Sequence, residues 1–108
     1  MIEYRSNQLD HIFHALADPT RRAVLRELTG GRRSVGQLAK PFPISFAAVT
    51  KHIQVLEKAG LVRKVRQGKF IQCRLQGEPL RLASAWIEQQ RAYWQSQLDG
   101  LERFLDEN

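Results

Sequence analysis

Residues 44–60, ISFAAVTKHIQVLEKAG, have two unlike sides once wound into a helix. At 100° per residue Phe46, Val49, Ile53 and Leu56 fall within about 80° of one another, an apolar stripe of the kind a core covers. Opposite them lie Ala47, Lys51, Gln54 and Lys58, with Thr50 on the flank. The ends are specified as firmly as the faces. Ser45 is a preferred N-cap, and Ile44 before it is spaced to staple onto Val49. Gly60 stops the helix just beyond Lys58, whose charge suits the negative end of the helix dipole.

Working outward, Pro41-Phe42-Pro43 cannot continue a helix, so a tight turn precedes this one. Before the turn, Ser34-Val35-Gly36-Gln37 has capping-box spacing and opens a short helix through about Lys40, with Val35, Leu38 and Ala39 apolar. On the other side, LVRKVR (61–66) and FIQCRL (70–75) are rich in β-formers. Gln67-Gly68-Lys69 lies between them, and a glycine in so short a connection signals a hairpin. Two short helices, a tight turn and a basic two-stranded ribbon describe a winged helix-turn-helix.

The flanks complete the order. Leu9, Ile12, Phe13 and Leu16 predict a first helix from about Asn7 to Ala17. Asp18-Pro19 restarts the chain as N-cap and first helical residue, and the second helix turns Val24, Leu25 and Leu28 inward before stopping at Gly30-Gly31. Gly77-Glu78-Pro79 breaks the chain before a long last helix, in which Leu80, Ala83, Ile87, Trp94, Leu98, Leu101 and Leu105 follow spacings of three, four and seven. The expected fold is mainly α with a β-hairpin wing: helix, helix, helix, helix, hairpin, helix. It forms one domain over 1–108, with a dimerisation helix at about 78–108.

A chain of 108 residues, 43% apolar and 26% charged, has the composition of one soluble domain with a modest core. The polar Met1–Gln8 start gives no signal peptide, no apolar run approaches the ~18 residues of a membrane span, and the lone Cys73 fits a reducing cytoplasm. The net charge of +6 divides unevenly. Residues 1–77 hold 14 Lys/Arg against 5 Asp/Glu, and residues 78–108 hold 3 against 6, so a basic body carries a mildly acidic tail. A basic surface favours polyanions, nucleic acid first.

The face formed by Ser45, Ala47, Thr50, Lys51, Gln54 and Lys58 bears no acidic residue, as a phosphate-lined groove requires, and Glu57 lies toward the core side. Gln pairs with adenine, Lys donates to guanine, and the Ala47 methyl can meet a thymine methyl. The ribbon from Leu61 to Leu75 has five basic residues and no acidic one, so Arg63, Lys64, Arg66, Gln67 and Lys69 are expected to contact DNA, the alternative being a solvated edge that lysine and arginine protect from aggregation. Arg21, Arg22, Arg32 and Arg33 are secondary candidates for backbone contact, Arg21 and Arg22 with solvation as the alternative. His52 sits at the edge of the apolar side and is expected to pack rather than read bases. Cys73 alternates with Ile71 and Leu75 and is expected to be buried and inert. The stripe Leu80, Ile87, Trp94, Leu98, Leu101, Leu105 is too long for a domain this size to cover, which points to a symmetric homodimer.

ALADPTRRAVLRELTGG (15–31), SVGQLA (34–39), ISFAAVTKHIQVLEKAGLV (44–62) and the RQGK wing (66–69) resemble the ArsR/SmtB family of bacterial winged-helix repressors, from about Leu9 to the final helix. The resemblance implies a homodimer that binds a palindromic operator and represses nearby genes, with Ala47, Thr50 and Lys51 facing the bases. It does not extend to metal sensing. The third helix, SVGQLAKPF, lacks the cysteine pair of arsenic and cadmium sensors, and the last helix has no histidine for a zinc or nickel site. His11 and His14 have i, i+3 spacing but no third soft ligand nearby. No metal, cofactor or membrane is expected, and no effector is identifiable. No catalytic constellation stands out, so the chain is not expected to be an enzyme. The alternative function is a winged-helix protein-interaction module without specific DNA binding.

Overall fold

The computed structural model describes residues 2–107, with side chains from Asn7 onward. Met1 and Asn108, the ends of the expected domain, lie outside the described residues, as does the start of the polar Met1–Gln8 segment. The order is α1 (Ile2–Leu16), α2 (Pro19–Leu28), β1 (Arg33–Ser34), α3 (Val35–Ala39), α4 (Phe46–Lys58), β2 (Val62–Gln67), β3 (Phe70–Leu75) and α5 (Glu78–Glu107). This is the expected winged helix-turn-helix with one addition. The first helix also starts five residues earlier than the apolar spacing from Asn7 indicated.

The addition is β1. Arg33 pairs with Cys73 and Ser34 with Gln72, so the wing is the outer part of a three-stranded antiparallel sheet ordered β1-β3-β2. A two-residue strand has no periodicity to betray it. Its partner exists only once the hairpin has folded back, which corrects the expected order of four helices before a two-stranded ribbon. Ser34 ends this strand and caps α3: its Oγ accepts from the Gln37 N–H at 3.1 Å, and the Gln37 side chain accepts from the Ser34 N–H at 2.9 Å.

The helix-turn-helix is α3 and α4, set on a core shared by most elements. Ile12 and Ala15 of α1, Val24, Leu25 and Leu28 of α2, Leu38 of α3, and Val49, Ile53 and Leu56 of α4 are buried together. Leu61, Val62, Cys73 and Ala83 close the cluster from the sheet and α5. Truncating Ile53 or Leu56 to alanine here would cost about 2–5 kcal/mol. Phe46 departs from the expected stripe. It is 60% exposed, because the first turn of α4 projects beyond the elements that cover Val49 and Ile53. Ile44, expected to staple onto Val49, is also partly exposed.

Two glycines hold the wing in place. Gly60 has φ +77°, which strains any side chain, and a Cβ there would also crowd Cγ of the buried Pro79 at 3.3 Å. Gly68, φ +62°, opens the two-residue turn with Lys69 between the paired Gln67 and Phe70. A positive φ at the first central position alone suits a type II′ hairpin.

In α5, only Pro79 and Ala83 are buried, and the Trp86 ring meets Phe13 of α1 edge-on at 5.5 Å. At 30 residues it runs ~45 Å, and the molecule measures 70 × 34 × 22 Å.

Candidate nucleic-acid interface

The cap fixes where α4 begins. Ser45 Oγ accepts from the Ala48 N–H at 3.1 Å, leaving Phe46 as the first helical residue. Ser45, Ala47, Lys51, Gln54 and Lys58 are exposed along one side of the helix, and Thr50 is half-buried on its flank. The Thr50 hydroxyl donates back to the Phe46 carbonyl at 3.0 Å. One helix thus presents together the six residues the sequence singled out, and Phe46 joins them. Sequence reasoning placed Phe46 in the core because periodicity says which side a residue is on, not whether anything reaches that end of the helix. Its position directly after the cap was the available signal.

The wing divides by strand register. Arg63 stands opposite Arg74, Val65 opposite Gln72 and Gln67 opposite Phe70; on the other face Lys64 stands opposite Cys73 and Arg66 opposite Ile71. Arg66, Gln67 and Lys69 are exposed around the tip. Lys64 has another partner: its Nζ lies 3.2 Å from Glu57 Oε1, tying the base of the wing to α4. That bridge also neutralises the one carboxylate of α4. Cys73 beneath it is fully buried, and burial pushes its thiol above the usual value, as expected for an inert cysteine. Arg63 and Arg74 form no ion pair among the described residues, and two like charges directly opposed on a sheet repel. Such a pair is relieved by an anion.

The other arginine candidates differ in how far the protein itself uses them. Arg21 is buried, with 9% of its surface exposed. Its Nε donates to the Ala15 carbonyl and Nη2 to the His14 carbonyl, both at 2.8 Å, while Nη1 lies 3.2 Å from His52 Nδ1. Arg22 Nη1 donates to the Leu16 carbonyl at 2.8 Å. Both side chains therefore donate to the last carbonyls of α1, of which that of His14 also accepts from the Ala17 N–H at 3.2 Å. For Arg21 this corrects both sequence-based expectations, DNA backbone contact and plain solvation; Arg22 stays exposed, in keeping with its expected solvation. Asp18 completes the joint. Its Oδ2 accepts from the Arg21 N–H at 3.0 Å and lies 3.8 Å from His52 Nδ1. The Arg21 backbone bond, followed by the nearby charges of His52 and Arg21, holds the Asp18 carboxyl below its ordinary value despite partial burial. His52 is accordingly a packing and hydrogen-bonding residue, as its place at the edge of the stripe suggested. Arg33 is half-buried and donates to the Arg32 carbonyl at 2.9 Å; Arg32 is exposed.

His11 lines an open hollow of about 330 Å³ with Asn7, Gln8, Glu57, Lys58, Ala59 and Gly60, and His14 is exposed. Among the described residues no three His, Cys, Asp or Glu side chains converge as a metal site would require, and no helix is long and apolar enough to cross a membrane. On α5, Leu80, Ile87, Trp94, Leu98, Leu101 and Leu105 are all exposed, Trp94 at 61%.

Residues 16–65 match a family model described as a helix-turn-helix domain. The HTH-type transcriptional regulator Rv2034 of Mycobacterium tuberculosis is 37% identical, over 98% of this chain and 94% of its own. The transcriptional repressor SdpR of Bacillus subtilis is 33% identical, over 73% and 88%. A crystal structure of an ArsR family transcriptional regulator is 44% identical, covers 84% of this chain and 94% of that one, and superposes with a TM-score of 0.78. The homodimeric winged helix-turn-helix DNA-binding domain of Mb0332 from Mycobacterium bovis, a possible ArsR-family regulator, is 26% identical, over 73% and 74%, with a TM-score of 0.64.

Proposed function

The chain belongs to the ArsR/SmtB family of winged helix-turn-helix, DNA-binding transcriptional regulators, and from that premise we propose that it acts as a homodimeric repressor in the cytoplasm, binding a palindromic operator. What carries the reading is the exposed face of α4, free of unpaired carboxylates, beside a wing whose outward arginines have no protein partner among the described residues.

In this reading α4 lies in the major groove, where Lys51 and Gln54 supply hydrogen bonds to base edges and Ala47 and Thr50 supply close fit. Ser45 and Lys58 meet the flanking phosphates. Arg63, Arg66, Gln67 and Lys69 run along the adjoining backbone or minor groove. Lys64 serves instead as the strut that fixes the wing's angle to α4 through Glu57. The uncovered stripe on α5 supports a two-fold dimer, which sets two copies of α4 about one DNA turn, roughly 34 Å, apart. The homodimeric state of Mb0332 and the repressor role of SdpR support the same assignment here. Occupying an operator is then enough to repress, since a bound dimer excludes the transcription machinery from the same stretch.

The test is retention of genomic fragments by the purified protein in rising salt. A specific complex whose log affinity falls with log salt at a slope of several phosphates is expected. Lys51→Ala should weaken the selected complex by about 1–3 kcal/mol. No retention at low salt would leave the fold in use as a protein-interaction module. Trp94→Ala should weaken the dimer by about 2 kcal/mol, roughly thirtyfold, as an aromatic truncated within an interface does. Sedimentation of the wild type as a monomer at micromolar concentration would remove the dimer.

A further inference from the structure

Phe46 is the residue that the apolar stripe of α4 does not absorb. It is 60% exposed, while Phe42 in the preceding turn is the phenylalanine that packs against the core. We propose that Phe46 is a specificity-determining residue that rests its ring on the C5-methyl of a thymine in the major groove, setting a preference for T·A at that operator position. The inference deepens the DNA-binding role proposed above and rests on it.

Three observations converge. First, a recognition helix touches base edges with its N-terminal residues, and the cap at Ser45 makes Phe46 the first residue of α4. Second, both hydroxyl groups at this end bond to the helix itself, leaving only the Ser45 proton, which is directed to a phosphate. Ser45 Oγ accepts from the Ala48 N–H, and the Thr50 hydroxyl proton goes to the Phe46 carbonyl. Thr50 therefore has no hydroxyl proton left for a base. The leading edge of Phe46, Ala47 and Thr50 offers carbon to the groove, while the donors Lys51 and Gln54 stand one turn further on. Third, the apolar feature of the major groove is the thymine methyl, and an aromatic ring or a methyl group is what contacts it. An exposed ring here would be a cost without a partner. The absence of free carboxylates around it leaves DNA as the occupant that charge favours, because Glu57 is held by Lys64.

Deoxyuridine isolates this contact, since it removes the C5-methyl and leaves base pairing unchanged. A duplex is selected from a random pool by the wild type, and each thymine is then replaced singly. At one thymine per half-site, wild-type affinity should fall about fourfold, the value of burying one methyl group. Phe46→Ala should bind the parent duplex more weakly and bind both duplexes equally. The inference is overturned if no deoxyuridine duplex is distinguished by the wild type, or if Phe46→Ala still discriminates between them. The wild-type scan needs no variant to fold. Lys51→Ala keeps the two readings apart: if it weakens binding while the deoxyuridine scan is flat, the groove assignment of α4 stands and the role of Phe46 falls. If the pool yields no duplex at all, both fall.

Discussion

Arg21 and Arg63 are the same residue type in equally basic stretches of chain, and the fold uses them in opposite ways. At the α1–α2 joint, Arg21 is buried and each of its three nitrogens faces an oxygen or nitrogen of the protein within 3.2 Å. On the wing, Arg63 is exposed and stands opposite another arginine. Net charge counts both equally. The lesson is that a basic residue marks an interface only when the protein itself leaves the charge unanswered. A carboxylate or a helix terminus within reach removes it from the count, as Glu57 does for Lys64.

The comparison breaks most visibly at the joint. Arg21→Ala should lower stability by about 3 kcal/mol, because it strands the buried Ala15 carbonyl, removes one partner each from the His14 carbonyl and His52, and leaves a cavity at the joint. In a domain this size that lowers Tm by roughly 10–20 °C. At a temperature where the variant is folded, its salt dependence on DNA should match the wild type. A normal melting curve with a shallower salt slope would instead make the joint part of the interface.

Asp18 tests the same joint with a smaller effect. Asp18→Ala removes the N-cap of α2 and should cost about 1 kcal/mol. The folded protein holds this carboxyl below its ordinary value of 3.8, so its contribution is complete above that value and fades as pH falls through it toward the folded one. Wild type and Asp18→Ala should therefore differ in denaturant midpoint at pH 7 and converge below about pH 4. A gap that persists into acid would mean that the cap is held by something other than the ionised carboxylate.

Much of this was legible in the sequence, for reasons visible in particular residues. Ser34, Ser45, Asp18 and Gly68 act through their immediate neighbours, so cap and turn chemistry could be recognised without the fold. Val49, Ile53 and Leu56 followed from periodicity alone. The misread residues share a different property. β1 needs a partner strand some forty residues away; Arg21 needs the end of the previous helix folded back over it; the exposure of Phe46 depends on where other elements stop. Each is decided by tertiary placement, which no local pattern encodes. The recognition face lay between these cases. Its acid-free composition was visible, but the pairing that neutralises the neighbouring Glu57 through Lys64 was not.

The smallest effect falls on the wing, and there a near-zero change is the informative one. Arg63→Ala should leave stability within about 0.5 kcal/mol of the wild type, as surface substitutions usually do. The sign should be slightly favourable, because the change removes a like charge set directly across the strand pair from Arg74. Two opposed arginines that form no ion pair among the described residues, with Glu78 of the same hollow paired to Arg81, make sense if an anion is to be placed there. The same substitution should therefore reduce the log–log salt slope of operator binding by about one, the value of a single phosphate left unneutralised, across all sequences alike. Arg21→Ala should show the reverse, a large loss of stability with no change in slope. A slope unchanged by Arg63→Ala would mean that the wing's charge serves only solubility, and the distinction between the two arginines would reduce to burial alone.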